Sequence, residues 1–389
     1  MFIKNYKNVL KRELDMMFSR SIYLFASFIV VAFSYLFFLT FLGSGLPSDL
    51  PIAIVDNDQS TISRRFAREL SSTQNIKIEA VMHNFEEARV KMQRGEIYGI
   101  IVLPKNLYAD ILANRRPKVA FYTNNAFSLA GTLVYKDLSK MSVMASAAVQ
   151  REFLKARGLN ERDIMNRIMP ISIDSHQIGN PWASYNIYLV NILIPGILQL
   201  MILLMTVFPI GIELKNRTSI EWLDSAGGSI AIALAGKLTP YTIIFSVLGV
   251  AGNVLLYKII KFPMNGSFLM LSIGTLLYVV SYQAIGIFAI GTLPVLRDAI
   301  SFTAIFGTLG FSFAGFTFPV ESMPRMVQGI ANIFPIRHYY LLYTKEALLG
   351  AGFSYTFPHY VSLIIFYIAP LIVLYRLKNA LINQNYPLK

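Results

Sequence analysis

Residues 22–42 read IYLFASFIVVAFSYLFFLTFL, twenty-one positions without a charge. A helix needs about 20 apolar residues to cross a bilayer. The run is longer than the core of a signal peptide, and no small-x-small cleavage pattern follows it, so it reads as a retained span. Five more candidate spans follow residue 185, at about 187–211, 238–257, 268–291, 300–319 and 359–376. A polar stretch of roughly 140 residues separates the first run from the rest. The expected fold is therefore an α-helical integral membrane protein with six transmembrane helices, carrying an inserted α/β extracytoplasmic domain between helices 1 and 2.

Composition agrees. The 389 residues are 54% hydrophobic and 15% charged, whereas a soluble domain carries about 25% charged residues. Net charge is +13, but the bases are not gathered into one stripe of the kind that binds nucleic acid. Between 43 and 185 there are 18 Lys and Arg against 14 Asp and Glu, so most of the excess lies in loops and tails. There it acts as a topology signal. Lys4, Lys7, Lys11, Arg12 and Arg20 precede the first run, and Arg376, Lys378 and Lys389 follow the last. With both termini cytoplasmic, the short inside segments hold 12 bases and the outside ones hold 5 (Lys258, Lys261, Arg325, Arg337 and Lys345). Bases stay on the cytoplasmic side. Cysteine is absent, which excludes disulfides, thiolate metal sites and a cysteine nucleophile.

The expected organisation is a cytoplasmic segment 1–21, helix 22–42, an extracytoplasmic domain 43–185, a five-helix block 186–376 and a cytoplasmic tail 377–389. Within the insert, PIAIVD (51–56), IKIEAV (76–81), YGIIVLP (98–104) and KVAFYT (118–123) read as strands. Helices are expected after Ser60 and Asn84, at 106–114, and as a long stalk over 127–157. Asp56 and Asp58 read as a strand-end turn rather than a metal pair, and His83 and His176 stand alone. No metal site and no catalytic constellation is expected.

Between the second and third spans lies GIELKNRTSIEWLDSAGGSIAIALAGKLTP (211–240). Glu213, Arg217 and Glu221 recur at four-residue spacing, so they can pair along a helix, with Ile220, Trp222 and Leu223 on the other face. Such a helix can lie in headgroups or dock into a partner's groove. Gly236-Lys237 is followed by Leu238, so the phosphate-loop pattern fails. No cofactor is expected on this chain, and energy from ATP requires another polypeptide.

After the fifth span, Pro319, Pro324 and Pro335 bracket MPRMVQGIANIF, an apolar piece too short to span. With Met323 and Gln328 it forms an expected outer re-entrant segment over 319–356. Tyr339, Tyr340 and Tyr343 suit the outer headgroup layer. Ionisable residues are nearly missing from the spans. Asn191, Gln199, Asn253 and Gln283 read as helix–helix hydrogen bonders.

These features together resemble the membrane-spanning permease subunits of type 2 ABC transporters, the exporter class with a large outer domain. IAIVDNDQSTISRRF, the 213–226 loop, GFTFPVESMPRMVQGIANIFPIRHYY and the basic tail carry the resemblance over nearly the whole chain. The loop departs from the family pattern: Arg217-Thr218 stands where Gly-Thr is usual, and Ser225-Ala226 where Thr-Pro is usual. The resemblance implies an export permease in a bacterial inner membrane, worked by separate ABC ATPase subunits and paired with a second copy or a sister permease. A periplasmic adaptor and membrane lipids are further expected partners. It also implies that Glu213, Lys215, Arg217, Thr218, Glu221 and Trp222 face the ATPase. The rival reading is a membrane-anchored receptor or scaffold without transport.

Overall fold

An extended Arg20 (φ −128°, ψ 111°) separates two helices at the start of the chain. In the computed structural model, described for residues 2–386 apart from 114, 172 and 385, α1 runs Phe2–Ser19 and α2 runs Ser21–Phe41. The expected N-terminal segment 1–21 is thus largely helical. Its Val9, Glu13 and Met17, four apart, form one buried stripe, the helical spacing that lines up a single face.

The chain divides into two compact units, Leu46–His176 and the remainder formed by Met1–Gly45 with Gln177–Lys389. The first unit contains β1 (Leu50–Asp56), α3 (Thr61–Ser71), β2 (Ile76–Met82), α4 (Phe85–Gln93) and β3 (Gly99–Leu103). It continues with α5 (Leu107–Leu112), β4 (Ala120–Thr123), α6 (Ser128–Ala156) and α7 (Glu161–Ile168). The sheet order is β2-β1-β3-β4, parallel except for the β3–β4 pair. β1 is central, so both its faces are apolar. Ile52 and Ile54 pack with Leu70, Leu133, Val134 and Leu138, while Ala53 and Val55 pack with Ala88 and Ile100. The long helix lies tight on the sheet: a Cβ on Gly99 would sit 2.7 Å from Val134 Cγ1.

Asp56 closes the first strand as a local cap. One carboxylate oxygen accepts Asp58 N at 3.0 Å and Gln59 N at 2.9 Å, and the other accepts Ser63 Oγ at 2.7 Å. Ser60 caps α3 by accepting Ser63 N at 3.2 Å. The strand-end reading of this aspartate is what the structure has, and its side chain is fully used.

The second unit is a helical block. After α8 (Tyr185–Lys215) come the short α9 (Ser219–Ser225), then α10 (Ile230–Ile259), α11 (Phe268–Thr292) and α12 (Leu296–Phe313). Two short helices follow, α13 (Arg325–Ala331) and α14 (Pro335–Tyr343), and then α15 (Phe353–Asn383). Among the described residues five helices, against the six expected, are long and apolar enough to cross a membrane: α2, α8, α10, α11 and α15, with α12 not among them. The span expected at 300–319 corresponds to α12. It starts earlier, at Leu296, with Arg297 and Asp298 in its first turn, and ends before Gly315, whose φ is +95°. Its 18 residues reach about 27 Å at 1.5 Å per residue, close to the ~30 Å hydrocarbon core. Lys389, part of the expected basic tail, lies outside the described residues.

Small residues set the helix crossings. A Cβ on Gly196 of α8 would overlap the Phe311 ring of α12, and one on Gly307 of α12 would overlap Leu200 of α8. Helices in lipid gain little from hydrophobic burial against one another, so such close approach supplies much of their association.

Candidate functional site

α8 ends on an acid. Glu213 sits in its last turn, where the carbonyl ends of the helix already present negative charge, and it is wholly buried. Two bases and a hydroxyl answer it. Arg12 of α1 reaches both carboxylate oxygens, at 2.5 and 2.9 Å. Lys237 of α10 donates to Oε1 at 2.9 Å, and Thr218 donates its hydroxyl to Oε2. Lys237, also buried, donates to Glu13 of α1 at 2.5 Å, and Glu13 accepts Tyr241 Oη at 2.6 Å. The ammonium lies 4.9 Å from the centroid of the Trp222 ring, within cation–π range. Two bases and two acids therefore form a neutral, hydrogen-bonded quartet that joins α1, α8 and α10, with α9 closed over it. Burial opposes the Arg12 charge, but the carboxylates of Glu213, Glu13 and Glu221 outweigh it and hold the guanidinium above its ordinary value.

The turn from α8 into α9 is tight. Arg217 adopts φ +59°, and Gly227 and Gly228 take left-handed conformations before α10. The back of α9 is fixed. Ser219 Oγ donates to Leu381 O of α15 at 2.7 Å, and Trp222 and Leu223 are buried. Its front is open: Lys215, Arg217, Glu221 and Asp224 are exposed, as is Ile220 at 45%.

The six residues expected to face a partner therefore divide. Lys215, Arg217 and Glu221 point outward and Thr218 is half-buried, whereas Glu213 and Trp222 point inward. Ile220, expected beside Trp222 on the apolar face, is on the exposed side. Glu213, Arg217 and Glu221 do not form the expected ladder, because the left-handed Arg217 breaks the helix and Glu213 is taken by Arg12 and Lys237. Arg12, Glu13, Lys237 and Tyr241 were missed. Their signals were a lysine inside an apolar run and an acid in register with Val9 and Met17. Lys237, read as part of the loop before a span at 238–257, lies instead within α10 with no exposed surface.

At the opposite end of the block, the expected re-entrant segment is two short helices. Pro319 precedes a single 3₁₀ turn, Val320–Ser322, that leads to Met323; Pro324 precedes α13, and Pro335 is the first residue of α14. Gln328 ties the segment to itself by donating to Met323 O at 2.8 Å and Glu321 O at 3.2 Å. α13 is largely exposed while α14 is buried. Tyr339 and Tyr343 are not at a surface: each is 4% exposed. Tyr339 stacks on Tyr278 with ring centroids 4.5 Å apart.

The polar amides inside the block bond between helices, as expected. Asn191 accepts Tyr257 Oη at 2.8 Å, Gln199 donates to Gly307 O at 2.8 Å, Asn253 donates to Thr275 at 2.8 Å, and Gln283 accepts Thr242 at 2.8 Å. Tyr35, Asn191, Asn253, Tyr257, Thr275 and Tyr339 surround a cavity of about 20 Å³. That is room for one water and far too small for a transported solute.

The sequence matches a family described as ABC-2 family transporter protein over residues 15–376. It is also similar to the Inner membrane transport permease YhhJ of Escherichia coli (strain K12), at 24% identity over 328 residues that cover 80% of each chain. The protein of the same description from Shigella flexneri matches equally. The matched region takes in Glu213 and Lys237 of the quartet, α9 and the two short helices, and covers most of the chain, which therefore belongs to the ABC-2 family of transporter proteins.

Proposed function

We propose that this chain is the permease subunit of an ATP-driven exporter in a bacterial inner membrane, with both termini and α9 on the cytoplasmic side and the α/β unit outside. The supporting observation is the two-sidedness of α9. Its buried side, Ser219, Trp222 and Leu223, is tied to α15 and the quartet, while Lys215, Arg217, Ile220, Glu221 and Asp224 form a mixed charged and apolar surface. A separate ABC ATPase subunit docks on that surface. A push there passes through Glu213, Arg12, Glu13 and Lys237 into α1, α8 and α10 together, because all four charges share one network. Alternating access needs contacts that differ between two states, and a rigid neutral cluster transmits such a shift without exposing a charge.

The buried cavity beside Asn191 and Tyr339 is too small for cargo, which supports a path between two permease chains, a second copy or a sister. The two short helices α13 and α14, with Pro319, Met323, Pro324, Gln328 and Pro335, form its outer rim. The α/β unit meets cargo or a periplasmic adaptor. The docking claim is tested by purifying the chain from its native host with bound ATPase. Ile220→Asp with Glu221→Lys is expected to lose the ATPase while leaving the melting temperature unchanged. Retention of the ATPase by that double variant contradicts the reading.

A further inference from the structure

Far along the chain from the quartet, Lys345 and His359 meet at 2.9 Å, Nζ to Nε2. Lys345 lies in a π-helical turn, Thr344–Leu348, that follows α14, and His359 lies in the second turn of α15. Both are half-buried. For Nε2 to accept from an ammonium, the imidazole must be neutral with its proton on Nδ1. The pair therefore carries one uncompensated positive charge. Among the described residues no carboxylate lies within salt-bridge distance of Lys345. Glu346, next in sequence, is turned away and accepts Ser267 N at 3.0 Å. Glu321 acts on Lys345 only from farther off and is engaged by Arg337 at 3.2 Å. The groups facing His359 are Lys345, His338 and Arg337, all bases. His338 and Arg337 are already bonded to Asn332, at 3.0 and 3.3 Å.

A half-buried cation without a counter-charge is costly. Two N–H groups of Lys345 and Nδ1–H of His359 have no protein partner among the described residues, and one tetrahedral or planar oxyanion can accept from all three. We propose that Lys345 and His359 form a binding site for a phosphate or carboxylate group at this rim of the span block. Tyr355, 70% exposed and one turn before His359, adds an apolar shoulder suited to an acyl chain. The site stands on its own geometry whichever way cargo moves, so its failure leaves the proposed function intact.

The test is native mass spectrometry of the full-length protein titrated with short-chain phosphatidylglycerol, with phosphatidylcholine as the neutral comparison. Wild type is expected to bind phosphatidylglycerol preferentially. Lys345→Gln is expected to weaken the tightest binding event roughly tenfold, the worth of one charge-assisted contact, and Lys345→Arg is expected to restore it. Competition by inorganic phosphate identifies a free anion as sufficient; failure to compete identifies the lipid as the source of the headgroup. Equal binding of the two lipids, or wild-type affinity in Lys345→Gln, overturns the site.

Discussion

Lys237 and Glu213 stand 24 positions apart in the chain and meet at 2.9 Å with both side chains wholly shielded from solvent. A buried ion pair is weak evidence of stability by itself, because desolvation offsets the attraction. Here the pair is one edge of a quartet, and removal of one member strands its partners.

Lys237→Met is expected to destabilise the protein by about 3–5 kcal/mol, read as a lowered melting temperature in detergent. Glu13→Gln in the same background is expected to cost much less than it does alone, because Glu13 and Lys237 are each other's partner. Additive losses contradict a shared network.

Trp222 and Trp182 are the two tryptophans of the chain, one with no exposed surface and the other 65% exposed. Trp182→Phe is therefore expected to leave a blue-shifted emission that iodide quenches poorly. Trp222→Phe is expected to leave a red-shifted emission that iodide quenches well. A strongly quenched Trp222 means that α9 is not packed as described.

Gly307→Ala brings a methyl into the space of Leu200. Overpacking of this kind costs about 1–3 kcal/mol, and the melting temperature is expected to fall accordingly. Gly329→Ala, where a Cβ meets nothing within 4 Å, is expected to be silent in the same assay.

Asp56→Ala removes the acceptor of three hydrogen bonds at the start of α3. Loss of such a cap costs about 0.5–2 kcal/mol, and the buried Ser63 hydroxyl keeps only its bond to Ser60 O. The isolated signature is earlier hydrogen exchange in α3 and the 56–60 turn, with the span block unaffected.

His338 is held below its ordinary value of 6.5, first by burial and then by Arg337. A base with a depressed folded pKa contributes stability that is present above 6.5 and lost as pH falls through the folded value. Between pH 7.5 and 5, wild type is expected to lose more thermal stability than His338→Gln. Parallel curves contradict the assignment.

Much of the fold was legible because it rests on run length and alternation. The span α2, the four strands and the long α6 all follow from spacing that local chemistry enforces. The Asp56 turn was legible for the same reason, since its bonds reach at most seven residues. The quartet was not legible, because Arg12 and Glu13 meet Glu213 and Lys237 only through helix packing. Charge spacing within 213–221 suggested a local ladder, and a left-handed Arg217 replaced it with long-range partners. Tyr339 and Tyr343 were misplaced because an aromatic near a span end reads the same whether it faces headgroups or a neighbouring helix.

On the function proposed, the open side of α9 receives the ATPase. A photo-crosslinking amino acid at position 221, irradiated in intact cells, tests it directly. An adduct with a nucleotide-binding polypeptide is expected, absent when the same group is placed at the buried position 223. Crosslinks from position 221 to extracytoplasmic proteins, without any ATPase adduct, would contradict it.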